Sequence, residues 1–137
     1  MAKIAIVSDV HLGTRQYGIK ERYDDFIVAF ERFGQSAIDH KVDAVVIGGD
    51  LFDSPRPDAK SVLQAQYVVS RLSSIGIPVF GIDGNHDLSD SGWPQVIGAH
   101  ALFDGGTASH ARLNGVKMVG VNYKNGRDLI AAIRQMP

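Results

Sequence analysis

No cysteine occurs among the 137 residues, which excludes disulfides and thiolate metal sites and is compatible with a reducing compartment. No apolar run approaches the roughly 18 residues of a membrane-spanning helix, so a cytoplasmic protein without membrane contact is expected. An excess of either charge is also missing: fourteen Lys plus Arg stand against fifteen Asp plus Glu, a formal net charge of -1. Bulk electrostatics therefore gives no argument for phosphate-backbone binding, and a nucleic-acid role must rest on local chemistry. Neither an internal repeat nor a low-complexity tract is found. The hydrophobic share of 45% and charged share of 21% are those of an ordinary globular chain, and one domain spanning 1–137 is expected.

What the chain does have is a design used three times: a short apolar run that ends abruptly in metal-type ligands. Ile4, Ala5, Ile6 and Val7 lead to Ser8, Asp9, Val10 and His11; Val45, Val46 and Ile47 lead to Gly48, Gly49 and Asp50; Val79, Phe80, Gly81 and Ile82 lead to Gly84, Asn85, His86 and Asp87. The runs do not alternate, so each reads as a buried parallel strand.

Between them the spacing predicts helices. Tyr23, Phe26, Ile27, Phe30, Phe33, Ala37 and Ile38 recur at three and four over residues 21–40, although Gly34 sits inside that pattern. Residues 42–47 form the second strand, with Asp43 near its mouth. Asp58 is the N-cap of a second helix with a core stripe of Val62, Leu63, Gln66, Tyr67, Leu72 and Ile75 and a stop at Gly76. Strand, helix, strand, helix, strand implies a parallel α/β sheet with right-handed crossovers; we expect a layered sheet with helices on both faces. Ligand sites of such sheets lie at the carboxyl ends of the strands, where Asp9, Asp50 and Asn85 fall. Further on, residues 95–102 read as a short helix, 111–121 as a hairpin around Asn114 and Gly115, and 127–136 as a helix with Leu129, Ile130 and Ile133 on one face.

In an extended segment Asp9 and His11, two residues apart, point the same way and can reach one divalent ion. Asp50 can bridge two ions through its two oxygens, and Asn85 offers a carbonyl oxygen to the second. His86 would face the substrate, stabilising charge or protonating a leaving alkoxide, with Asp87 orienting its imidazole. Two metals about 3.5 to 4 Å apart suit phosphoryl chemistry, and a mixed oxygen and imidazole donor set favours Mn, Fe or Zn over Mg or Ca. Asp53 reads as a loop or supporting group. His40 is explained by the dipole at a helix end, His100 and His110 read as surface residues, and Trp93 as a packing anchor.

The three motifs together resemble the first three motifs of the calcineurin-like metallophosphoesterases. His11, Leu12, Gly13 and Asp50, Leu51, Phe52, Asp53 are most similar to the Mre11 and SbcD branch of DNA repair nucleases. The resemblance implies the first half of a four-layer α/β/β/α sandwich, with Asp9 and His11 on one metal, Asp50 bridging, Asn85 on the second metal and His86 as the catalytic histidine. It also implies manganese, with Fe, Zn or Mg as alternatives, and exonuclease and endonuclease hydrolysis of DNA. The implied partners are DNA, a Rad50 or SbcC type ATPase and a second copy of the chain. The family's later His and its Gly-His-x-His element have no counterpart here, so the site is incomplete. We expect an N-terminal part of a catalytic domain, or a subunit completed by another chain. Two rival readings share these residues: a general phosphoesterase acting on nucleotides or phosphomonoesters, and a silent binding or assembly module.

An incomplete ligand set predicts weak metal binding in which the Asp9, His11, Asp50 position outcompetes the Asn85 one. Calorimetry with Mn²⁺ checks this; two tight, equal sites on the monomer would contradict it.

Overall fold

The computed structural model describes the whole chain except residues 91, 105, 106, 109 and 137. Its central sheet consists of β1 (Ile4–Val7), β2 (Ala44–Ile47), β3 (Val79–Gly81) and β4 (His100–Ala101), all parallel and in that spatial order. In register, Val7 lies opposite Ile47 and Ile47 opposite Gly81, so the first three strands end side by side.

Helices α1 (Lys20–Asp39) and α2 (Ala59–Ser74) connect these strands. The parallel α/β sheet agrees with the sequence reading; the placement of helices on both faces does not. Strands laid down in sequential order with right-handed crossovers send successive helices to the same side. There Tyr23, Ile27, Phe30 and Ala37 of α1 and Ala65, Val68, Val69 and Leu72 of α2 bury Val45, Ile47 and Val79. A buried side chain such as Phe30 or Leu72 contributes about 1.5–3 kcal/mol to this core.

The core stripe of α2 also differs from the predicted one. Its buried positions are Ser61, Ala65, Val68, Val69 and Leu72, while Leu63 and Tyr67 are 63% and 49% exposed and Ile75 is exposed as well. The reason is close helix contact, which selects small residues at the crossing over the larger apolar ones a hydrophobicity pattern picks out. Gly34 of α1 belongs to the same contact: a Cβ there would lie 2.7 Å from Val68 Cγ1. The glycine that weakens the helical pattern is the one that admits α2. Asp58 caps α2 as expected, accepting from the Ser61 N–H at 3.0 Å and from the Tyr23 hydroxyl at 2.8 Å.

The expected helix over 95–102 is instead α3 (Trp93–Val96) followed by β4. Pro94, favoured in a first helical turn, moves the start earlier, and Gly98 with φ 85 turns the chain out of the helix into the strand. Trp93 packs edge-on against Phe52, ring centroids 5.1 Å apart. Two antiparallel pairs come next, β5 (Phe103–Asp104) with β6 (Thr107–Ala108) and β7 (His110–Leu113) with β8 (Val116–Val119). Asn114 and Gly115 carry φ 48 and 82, both positive as a type I′ turn requires.

The β7–β8 hairpin covers the second face of the sheet, where Ala111, Leu113 and Met118 meet Ile4, Val46 and Phe80. Cover is partial. Ile6 remains 70% exposed, so β1 is a half-covered edge strand rather than the fully buried one expected. Asp43 also departs from expectation, sitting just ahead of β2, at the end away from the loops, where its carboxylate accepts from the Lys3 N–H at 2.6 Å. His40 caps α1 with its Nδ1 donating to the Ser36 carbonyl at 2.8 Å, and His100 and His110 are exposed. The chain closes with α4 (Gly126–Arg134), whose Leu129, Ile130 and Ile133 share a face but stay exposed. Among the described residues no helix is long and apolar enough to cross a membrane.

Gly34→Val forces a branched side chain into the α1–α2 contact and should destabilise the protein by about 1–3 kcal/mol. Urea denaturation checks it; wild-type stability would mean that the helices do not depend on this approach.

Candidate metal centre

Three loops leave the carboxyl ends of β1, β2 and β3, and backbone hydrogen bonds zip them together. The Gly48 N–H donates to the Val7 carbonyl (2.7 Å), Asp9 to Gly49 (3.2 Å), His11 to Asp50 (3.0 Å), Leu12 to Leu51 (2.8 Å) and Asp53 back to Leu12 (3.0 Å). The parallel pairing thus continues past the strands into the ligand-bearing residues. The third loop is fixed by side chains instead. Asp50 Oδ1 accepts from the His86 N–H at 2.8 Å, and Asp87, only 1% exposed, accepts from the Gly84 N–H at 2.7 Å and the Phe52 N–H at 3.2 Å.

Two glycines permit this approach. A Cβ on Gly49 would lie 2.9 Å from Gly84 Cα, and one on Gly84 would overlap the backbone N and carboxylate of Asp50.

The geometry that brings Asp9 and His11 together is not the extended one expected. Asp9, His11 and Asp50 have φ 55, 52 and 49, in the left-handed region that costs non-glycine residues of order 1–3 kcal/mol each. The zipped backbone holds all three there. Such strain concentrates where a fold positions functional groups, and here it aims donor atoms of Asp9, His11 and Asp50 to within 4.8 Å of one another. Two carboxylates and an imidazole converging in this way fit a divalent cation.

The supporting contacts are specific. Asp53 Oδ1 lies 3.0 Å from His11 Nδ1; with the carboxylate as acceptor, Nδ1 carries the proton and Nε2 keeps its lone pair for a metal. The Ser8 hydroxyl donates to Asp9 Oδ2 at 2.6 Å. His86 is exposed at the mouth, its ring edge-on to His11 with centroids 4.8 Å apart. Asp87 does not play the orienting part expected of it, because its oxygens hold loop backbone; the carboxylate that faces the His86 ring is Asp53, 4.0 Å from Nδ1. Asn85 stands exposed between Gly84 and His86.

One residue escaped the sequence reading. Asp83, 2% exposed at the end of the third apolar run, has its N–H donating to Asn122 Oδ1 at 2.9 Å and its carbonyl accepting from the Tyr123 N–H at 2.9 Å. Burial, and then the neighbouring Asp87 carboxylate, push its pKa up to about 6. The available signal was positional: a carboxylate directly after an apolar run, as with Asp50 after Ile47.

A parallel sheet with clustered carboxylates and histidines at its strand ends defines a class. The chain belongs to the calcineurin-like phosphoesterase family, whose model matches residues 2–131. Within that class its relatives include DNA double-strand break repair protein Mre11 of Methanosarcina acetivorans, 48% identical over 85 residues, covering 62% of this chain and 14% of that protein. Mre11 of Aeropyrum pernix is 46% identical over 87 residues (64% and 21%), and Mre11 of Methanococcus maripaludis is 34% identical over 125 residues (85% and 34%). The matched segment thus spans 14% to 34% of the length of these three relatives.

Because Asp83 holds its proton more tightly when folded, the unfolded chain ionises first as pH rises from about 4 to about 6, and stability falls through that window. Asp83→Asn keeps the acceptor, removes the ionisation and should flatten the decline, which amounts to at most about 3 kcal/mol. Denaturation of the metal-free protein across this range checks it; an unchanged pH profile would contradict the assignment.

Proposed function

We propose that this chain carries the N-terminal part of a two-metal phosphodiesterase centre of the Mre11 and SbcD type, acting on DNA ends. The observation that carries the reading is the convergence of Asp9, His11 and Asp50 within 4.8 Å, with His86 fixed beside them through its backbone bond to Asp50. Similarity to several Mre11 proteins supports it.

Divalent metals, manganese first among them, would supply Lewis-acid stabilisation of phosphate oxygens and an activated water. Asp9, His11 and Asp50 would hold the first ion. Asp50, whose Oδ2 is not engaged by the His86 N–H, and Asn85 would hold a second. Asp53 keeps His11 in the tautomer that leaves Nε2 available. His86, exposed beside His11, would give a proton to a leaving alkoxide. Arg15, Lys20 and Lys60 line a cavity of about 470 Å³ together with Tyr23 and Asp58, and Lys60 is paired with Asp24 at 2.8 Å.

On the same reading the physiological partners are DNA, a Rad50 or SbcC type ATPase and a second copy of the chain, all in the cytoplasm. The exposed Leu63 and Tyr67 of α2 support self-association.

The test is cleavage of linear duplex DNA with excess Mn²⁺. We expect weak activity that Asp50→Ala or His86→Ala lowers by about 10²-fold or more. Cleavage of bis-p-nitrophenyl phosphate without DNA cleavage would favour a general phosphoesterase. No activity on either, with Asp50→Ala indistinguishable from wild type, would favour a silent assembly module.

A further inference from the structure

Asp53 faces two imidazoles through the same oxygen. Its Oδ1 lies 3.0 Å from His11 Nδ1 and 4.0 Å from His86 Nδ1, and donor atoms of the three residues fall within 4.8 Å of one another. The two rings meet edge-on at 89°. Metal–nitrogen and metal–oxygen bonds of about 2.0–2.2 Å let one ion span donor separations up to about 4.2 Å. Both distances to Asp53 lie inside that limit, and the third, between the two imidazole donors, is within 4.8 Å, so a small rotation of the exposed His86 ring brings all three donors to one ion. The side chains of His11, His86 and Asp53 are 23%, 46% and 40% exposed, leaving an entry path and room for water ligands.

We infer that His11, Asp53 and His86 form a second divalent-metal position, selective for zinc-type ions and mutually exclusive with the Asp9, His11, Asp50 position. The selectivity follows from the donors. Two imidazoles and one carboxylate suit Zn²⁺ and its neighbours, whereas two carboxylates and one imidazole suit harder ions such as Mn²⁺.

The exclusion follows from the single neutral imidazole the two positions share. A neutral ring offers one lone pair. With Nδ1–H donated to Asp53, Nε2 is the ligand atom and serves Asp9 and Asp50. When the outer ion takes Nδ1, the proton leaves that nitrogen and Nε2 becomes the protonated one, so His11 is withdrawn from the inner position. His86 is taken at the same time. Zinc in the outer position therefore removes an inner-metal ligand and the exposed histidine together, an inhibitory state built from the residues of the centre itself. The inference rests on the proposed function only for the identity of the inner position.

Calorimetry on the chelator-stripped chain tests it, with ZnCl₂ and MnCl₂ titrated separately. His86→Asn and Asp53→Asn should each weaken zinc binding by about tenfold or more while Asp9→Asn changes it by less than about threefold. In wild type, saturating zinc should suppress the heat of manganese binding. The ¹⁵N resonance of His11 Nδ1 should move on zinc addition, a readout that needs no variant and so covers a substitution that fails to fold. Zinc affinity lost in Asp9→Asn and retained in His86→Asn, or a shift at His11 Nε2 instead of Nδ1, would overturn the outer position. Manganese binding unaffected by Asp9→Asn would instead overturn the inner one, so failures of the two readings are distinguishable.

Discussion

The bond from the His86 N–H to Asp50 Oδ1 is the contact on which the arrangement of the centre depends. It joins the third loop to the second at the carboxylate that also faces Asp9 and His11. It exists only because Gly49 and Gly84 let two backbones meet with no Cβ between them. Asp87 reinforces the same junction by accepting from both loops while buried. A buried carboxylate whose oxygens are both hydrogen-bonded avoids the desolvation cost an unpaired one would carry. Beside it burial, and then the Asp87 carboxylate, push the pKa of Asp83 up to about 6.

This junction converts sheet topology into chemistry. Parallel strands ending in register put the three loops side by side, and the continued backbone pairing between the first two holds three candidate ligands in left-handed conformations. The donors are thus oriented before any ion arrives, the condition under which a metal centre is precise. The helix layer supports the sheet from one side, and α1 and α2 approach each other where Gly34 meets Val68.

Much of this was legible in the residues because apolar runs that stop abruptly at Asp9 and Asp50 carry both the strand and the clustered donors in one signal. The Asn114 and Gly115 turn and the Asp58 cap were legible for a similar reason: each depends on local conformational chemistry. What stayed hidden depends on how elements meet. The buried stripe of α2 could not be read from hydrophobicity, because helix contact selected Ser61 and Ala65 over Leu63 and Tyr67. Asp87 seemed a partner for the adjacent imidazole, but its environment came from Phe52, 35 positions away. Asp53, read as a loop or supporting group, gained its particular partner only when the fold set it against His11. The placement of both helices on one face was implicit in strand order, which no single segment reveals.

Anomalous diffraction from crystals grown with manganese tests the central claim most directly, since it locates the ion without reference to activity. A peak is expected within coordination distance of Asp9, His11 and Asp50, on the side of His11 away from Asp53. A peak elsewhere, with those three side chains free of metal, would contradict it.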